Sequence, residues 1–325
     1  MKNKIILVTG GTGSWGVELV KQLIDRDAKE IRVLARNEFL QYEMSEIFKN
    51  SKVKGVIGDI RDKDLVRQAM VDVDIVFHLA ALKHVPICEE QPFEAIKTNV
   101  IGTENIVDCA IAENVDKVIY LSTDKVSEPS STYGLTKAIG EKIVINANSR
   151  KGNTKFSVLR SGNVLGSNGS VIPLFKKELE EGKDITLTHR DMNRFFVSLD
   201  ESVDYLIDVC EVTKGGEIFI MKMPSFKIVH IAEIMLEACG TGTNKIIEVG
   251  PRPGEKLDEV LITKEEGEKI YDFSERFYAI LPNGYKEKYN LDHIVKRPIG
   301  RYSSDKAIIE KSKVREILLK NNYIA

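Results

Sequence analysis

The chain has 325 residues, room for one large domain with a smaller one built onto it, and its 42% apolar content can support a real core. Acidic and basic residues nearly cancel, leaving −2 at pH 7, which excludes the basic excess of a nucleic-acid-binding surface. The four cysteines, Cys88, Cys109, Cys210 and Cys239, form no Cys-x-x-Cys pair and have no metal-ligand spacing, so buried free thiols in a reducing compartment, and no metal, are expected.

The leading stretch, MKNKIILVTGG, holds too short an apolar run for a signal-peptide core or a membrane span and already reads as a strand. No run elsewhere reaches the ~18 apolar residues of a membrane helix. The expectation is a cytoplasmic protein with no membrane partner.

Apolar runs of strand length fall at 5–9, 31–35, 53–57, 75–79, 118–122 and 156–159. Between them lie helical patterns. Val17, Leu19, Val20, Leu23 and Ile24 share one face, and Ala95, Val100, Ile106 and Ala110 lie along a second, long helix. Wholly apolar strands alternating with helices predict an α/β fold, a doubly wound parallel (Rossmann) sheet covered on both faces. Such sheets bind ligands at the carboxyl ends of their strands.

The first of those ends carries glycines at 10, 13 and 16, spaced Gly-x-x-Gly-x-x-Gly between a strand and an amphipathic helix. Small residues let the backbone approach a pyrophosphate, and the helix N-terminus adds amide donors. Gly10, Thr12, Gly13, Ser14, Trp15 and Gly16 are therefore the candidate dinucleotide loop.

The second strand ends Leu34-Ala35-Arg36-Asn37. Arg at this point favours the 2′-phosphate of NADP over the free ribose of NAD. Asp59, with Ile60, ends the third strand; it is placed to accept from the adenine amine or to cap a helix. Ala80 and Ala81 follow the fourth strand and leave room for a flat cofactor. Lys83 would face cofactor phosphate or substrate, and His84 fits a satisfied loop histidine.

The fifth strand runs into Thr123-Asp124-Lys125, and Tyr133 and Lys137 follow four residues apart, on one face of a helix. A phenol, with its pKa near ~10, is a poor base at neutral pH unless neighbouring positive charge favours the phenolate. By themselves Asp124 and Lys125 would also suit a salt-bridged strand end. Their side chains would point to opposite faces of an extended strand, so serving one ligand together requires a bend, which the loop around Pro129 allows.

After about residue 165 the alternation weakens. Segments 185–188, 217–220 and 245–249 look like short strands with helices between. The predicted division is 1–165 for the nucleotide-binding domain, with later segments returning to it, and 166–325 for a smaller α/β substrate-binding lobe and tail. The charged stretch 304–319 reads as a solvated surface helix.

Four blocks, GGTGSWG, HLAALKHVPICEEQPFEAIKTNVIGTEN, LSTDKV and RSGNVLGSNGSVIPLF, together with RPGEKLDE, give a closer resemblance. The chain resembles the extended short-chain dehydrogenases/reductases and, within them, the inverting UDP-N-acetylglucosamine 4,6-dehydratases of pseudaminic acid synthesis. The resemblance implies UDP-GlcNAc as substrate, beside the NADP that Arg36 favours. It implies oxidation at C4 with Tyr133 and Lys137, elimination of water across C5 and C6 with Lys125 as base and Asp124 as acid, Thr123 polarising the 4-position, and return of hydride to C6. A working base at Lys125 requires a lowered pKa, from desolvation or from Lys83 and Lys137.

The resemblance further implies that Lys83, Asn163, Val171, Arg194, Arg252 and Glu255 contact the nucleotide-sugar, and that the protein is a homo-oligomer, dimer or hexamer. Ser161 stands where the family has Tyr, Asn168 where it often has Arg, and Trp15 where Phe is commoner. The first two bear on the exact substrate or on release of a 5,6-unsaturated ketone. A UDP-sugar 4-epimerase would share Tyr133 and Lys137 without needing the 124–125 pair, and an NADP-binding regulator would need neither set.

Overall fold

The computed structural model describes residues 1–167, 169–251, 254–285 and 294–324. In chain order the first half comprises β1 (Ile5–Thr9), α1 (Ser14–Asp25), β2 (Glu30–Ala35), α2 (Glu38–Phe48), β3 (Val53–Ile57), α3 (Lys63–Met70), β4 (Ile75–His78), α4 (Val85–Glu90), α5 (Pro92–Ile96), α6 (Gly102–Ala112), β5 (Lys117–Thr123), α7 (Thr132–Asn146) and β6 (Lys155–Ser161). All six predicted strands form, with ends shifted by a residue or two.

The second half adds β7 (Asn163–Val164), α8 (Val171–Glu180), β8 (Ile185–Leu187), β9 (Asn193–Val197), α9 (Leu199–Val212), β10 (Ile218–Met221), β11 (Ser225–Lys227), α10 (Ile228–Cys239) and β12 (Ile246–Glu248). It ends with β13 (Val260–Ile262), α11 (Lys264–Gly267), β14 (Ile270–Asp272), β15 (Phe277–Ile280), β16 (Val295–Lys296), β17 (Tyr302–Ser303) and α12 (Lys311–Lys320).

The main sheet runs β16-β14-β15-β10-β6-β5-β4-β1-β2-β3. The seven strands from β10 to β3 are parallel, and β15, β14 and β16 close one edge antiparallel. The order reverses between β1 and β4, and a cleft opens at the carboxyl ends there, as a doubly wound sheet dictates. Central strands are buried on both faces: Ile6, Leu7, Val8, Val76, Phe77, Val118 and Ile119 are wholly inaccessible to solvent.

A second core lies beyond the sheet. Leu165, Phe175, Leu187, Phe196, Phe226, Ile231 and Met235 gather around α8 and α10. The tail corrects its sequence reading, because Val314 and Leu318 of α12 are buried in this core, while Lys311 bonds Glu233 and Glu237 of α10. Cys88, Cys109 and Cys210 are buried free thiols, and Cys239 is exposed, against expectation. Among the described residues, no helix is long and apolar enough to cross a membrane.

The predicted long helix at 95–110 is continuous but irregular. One π-helical turn, Lys97–Ile101, joins α5 to α6. It aims Asn99 sideways. The Asn99 amide accepts from Leu82 N at 2.8 Å and donates to Leu82 O at 2.9 Å and to Thr136 Oγ1 at 3.0 Å. One side chain thus ties the loop after β4 to α7. A turn further on, Thr103 reaches His78 Nε2 at 3.0 Å, and Asn105 donates to Ile60 O at 3.0 Å.

Candidate active site

A cleft of about 840 Å³ spans the carboxyl ends of the parallel strands and the face of the second core. The described candidate residues line it, except Gly16 and Asp124, which sit behind its wall. Arg252 and Asn168 lie outside the described residues.

At the nucleotide end the backbone makes the site. Gly10 has φ +68°, and a Cβ there would come within 2.8 Å of the Ala80 backbone. Gly16 packs on Gly11, where a Cβ would meet a carbonyl oxygen at 2.2 Å. Helix α1 follows Gly13, which has no side chain to cap it, and its N-terminus faces the cleft, where the positive end of the helix dipole favours an anion. These close backbone approaches are the cradle a dinucleotide diphosphate needs, and the loop fits that group.

Arg36 is more than half exposed, with Nη1 3.8 Å from Asp59 Oδ2. Asn37 caps α2 through Leu40 N at 3.1 Å. Asp59 accepts from the backbone and guanidinium of Arg61. It does not cap a helix, since Asp62 caps α3. Ile60, Ala80, Ala81 and Lys83 continue the cleft wall, and burial lowers the Lys83 pKa.

At the catalytic end the required bend falls at Asp124 itself, where a 3-10 turn, Asp124–Val126, follows β5 directly. It turns residues 124 and 125 towards each other. Asp124, fully buried, accepts at Oδ1 from Thr123 Oγ1 at 2.9 Å and from Lys125 Nζ at 3.0 Å, while Oδ2 has no partner. Glu259 lies 3.5 Å from the same ammonium.

The expected lowering at Lys125 is reversed. Desolvation does pull its pKa down, but the carboxylates of Asp124 and Glu259 outweigh it and hold the ammonium above the ordinary lysine value. Burial pushes the Tyr133 phenol up to about 12, although Lys125 and a hydrogen bond with Thr123 pull the other way. Burial lowers Lys137 to about 7, against the pull of Glu141. Its ammonium donates to Leu121 O at 2.7 Å and lies 3.8 Å from the centre of the Tyr120 ring. His78 is pushed down to about 3, chiefly by burial, and is neutral.

Beneath these groups Arg160 of β6 bonds Glu141 of α7 at 2.6 Å and Glu266 of α11 at 2.7 Å. It also donates to Ser127 Oγ at 3.2 Å and Leu261 O at 3.1 Å. The pair locks the helix carrying Tyr133 to the turn carrying Lys125.

On the substrate side, Asn163 of β7, Val171 at the start of α8, and Glu255 face the cleft. Arg194 also lines it, yet its guanidinium donates to Asn193 O at 2.8 Å, Leu257 O at 2.9 Å and Lys256 O at 2.8 Å. It thereby fastens segment 254–259 over the cleft. The sequence reading missed Asn99 and Glu259. Asn99 had one signal, a polar residue amid an apolar helical face. Glu259 had another, a carboxylate just before the all-apolar strand β13.

The reversed strand order, the glycine-opened first helix and the Tyr133–Lys137 pair beside it define an extended short-chain dehydrogenase/reductase. The chain belongs to the family described as polysaccharide biosynthesis protein, which matches residues 6–281.

Three relatives are similar over most of their length. One is an uncharacterized membrane protein of Methanocaldococcus jannaschii, 44% identical, covering 99% of this chain and 97% of the relative. A second is a UDP-N-acetylglucosamine 4,6-dehydratase (inverting) of Campylobacter jejuni, 44% identical over 86% of this chain and 83% of that one. The third is a UDP-glucose 4-epimerase of Rickettsia bellii, 43% identical over 88% and 85%.

Among solved structures, Pen from Bacillus thuringiensis superposes with a TM-score of 0.94 at 36% identity, covering 99% of both chains. DesIV, a dTDP-glucose 4,6-dehydratase from Streptomyces venezuelae with NAD bound, gives 0.71 at 26%, covering 78% of this chain and 86% of that one.

Proposed function

We propose that the protein is a UDP-N-acetylglucosamine 4,6-dehydratase that inverts C5 and uses NADP. Its product would be UDP-2-acetamido-2,6-dideoxy-β-L-arabino-hex-4-ulose. One observation carries the reading: the acid and base an elimination needs, Asp124 and Lys125, touch each other beside Tyr133. Likeness to the Campylobacter dehydratase supports it. Arg36 supports NADP, because its half-exposed guanidinium stands at the end of β2 where a 2′-phosphate would lie.

When bound, the nicotinamide supplies a reversible hydride acceptor for C4 and donor for C6. Tyr133 takes the C4 hydroxyl proton, helped by the positive charge of Lys125 and the Thr123 hydroxyl. With C4 a carbonyl, the C5 proton is acidic. A proton shifted from Lys125 to Asp124 turns their ion pair into an amine and a carboxylic acid without changing net charge. The unpartnered Asp124 Oδ2 is a ready place for that proton. The amine takes the C5 proton, the acid passes its proton to the departing C6 oxygen by way of the Thr123 hydroxyl, which bonds Asp124 and lines the cleft in front of it, and the ion pair is restored.

Incubation with UDP-GlcNAc in deuterated water tests this. Loss of water by mass and deuterium at C5 by NMR are expected. An isobaric product would mean 4-epimerisation, the reading that the Rickettsia relative favours. Tight NADP binding without turnover would mean a regulator.

We further propose a homo-oligomer. Phe93 (64% exposed), Ile101 (47%), Leu135 (52%) and Ile139 (48%) stand out on neighbouring helices, an apolar surface suited to another copy of the chain. Light scattering at a single-chain mass would overturn this.

A further inference from the structure

Glu259 is nearly inaccessible to solvent, yet it belongs to no predicted catalytic set. It lies just before β13, and its backbone is pinned in both directions. Its amide donates to Ser304 Oγ at 2.8 Å, and its carbonyl accepts from Ser304 N at 2.9 Å. Its carboxylate lies 3.5 Å from Lys125 Nζ and 3.6 Å from Arg194 Nε. Arg194 is in turn held by three backbone carbonyls, so it cannot swing away to relieve the pair. The charged and titratable groups facing the Lys125 ammonium are thus Asp124 on its own turn, Glu259 before β13, Arg194 on β9 and Tyr133 on α7.

A lysine that takes a carbon-bound proton gains positive charge as it reacts. The nitrogen lone pair forms the new N–H bond, the C5–H pair becomes the C5–C6 double bond, the C6–O bond breaks, and Asp124 protonates the leaving oxygen. Asp124 gains negative charge in that same step, so it is not a constant partner for the ammonium. A second carboxylate, outside the proton transfer and fixed in place, is what stabilises charge growing on the base.

Building on the dehydratase reading, we propose that Glu259 is that fixed counter-charge: a positioning residue that orients the Lys125 amine and stabilises the ammonium formed when the C5 proton is taken. Segment 254–259, fastened by Arg194 over the cleft, therefore completes the catalytic turn from far along the chain.

The test compares wild type with Glu259→Gln, using lysine labelled with carbon-13 at Cε and a Lys125→Arg variant to assign the signal. Removing an opposite charge at this distance should lower the Lys125 titration midpoint by about one to two pH units. With UDP-GlcNAc, the acid limb of the water-loss rate should move the same way and the plateau fall about tenfold. The C4 oxidation seen as nicotinamide reduction in a single turnover should change less than about twofold.

An unmoved Lys125 midpoint overturns the proposal even if the enzyme is slow, because a purely structural role would lower the rate at every pH without shifting the limb. Should Glu259→Gln fail to fold, Ser304→Ala loosens the backbone that carries the charge; a smaller shift in the same direction is expected, and an unmoved midpoint again overturns the idea. The dehydratase reading fails separately: wild type that never releases water from UDP-GlcNAc, while Lys125 still titrates differently in Glu259→Gln, would sink the reading and leave the coupling standing.

Discussion

The two ends of the cleft are built by different physics. At the nucleotide end, one contiguous stretch, residues 10–16, does most of the shaping, and it does so with backbone: a left-handed glycine, two close chain approaches and a helix start with no side-chain cap. At the catalytic end, side chains from β5, α7, β9, the stretch before β13 and the loop at Ser304 converge on a few buried charges. The first kind of site tolerates an exposed charge such as Arg36. The second depends on pairing: Lys125, Arg194 and Glu259 are held together across three segments, and Asp124 by its neighbours on the turn.

The sharpest way to separate the two ends is Lys125→Met. Water loss from UDP-GlcNAc should fall by about 10³-fold, the usual worth of a positioned base, while NADP affinity by fluorescence titration stays within twofold of wild type. Equal losses in both would mean the ends are not independent.

Next comes Glu141→Gln, which removes one carboxylate from Arg160 and an acceptor from Ser122. Breaking a buried pair in this way should cost about 3 kcal/mol in urea unfolding. A loss below about 1 kcal/mol would show that Glu266 alone satisfies the guanidinium.

A pH series on Lys137→Met follows. The folded pKa of Lys137 is depressed to about 7, below its unfolded value. Below about pH 7 both states hold the proton, so the charge-burial penalty is fully present; above it only the unfolded chain does, and the penalty is relieved as pH rises. The variant should therefore be more stable than wild type by about 2 kcal/mol near pH 6, with the gap closing towards pH 10. A gap independent of pH would mean that burial leaves the Lys137 pKa at its unfolded value.

The smallest effect is at the exposed cofactor position. Arg36→Asp should reduce the preference for NADP over NAD by about tenfold, read from the two KM values, with little change in stability.

The contrast also explains what could be read from the sequence. Local features were legible: the six parallel strands, the glycine loop, and the i,i+4 pair at Tyr133 and Lys137. The need for a bend near Lys125 was legible too, but not its place, because a 3-10 turn directly at a strand end has no strong residue signature. The protonation of Lys125 differs from its expectation for a physical reason. Its ammonium is held first by Asp124, which the 3-10 turn brings against it, and then by Glu259, which lies far along the chain; no local rule brings residues 125 and 259 to 3.5 Å. The resemblance makes Arg194 a contact of the nucleotide-sugar, and what no local pattern reveals is that its guanidinium also donates to backbone carbonyls of a segment that only folding brings near. The tail misled in the same way, since its buried face is two residues, Val314 and Leu318, in an otherwise charged stretch.

The π turn at Lys97–Ile101 carries one further implication, for how this chain tolerates editing. Such a turn is equivalent to one amino acid slipped into an ordinary helix. Excising that extra residue would leave a smoother helix, yet every position after it would spin by roughly 100° and slide by about 1.5 Å. Thr103 would leave His78, and Asn105 would leave the carbonyl of Ile60. A one-residue deletion here, harmless by any helix-propensity scale, would break two ties that hold β4 and the turn after β3 to this helix at once.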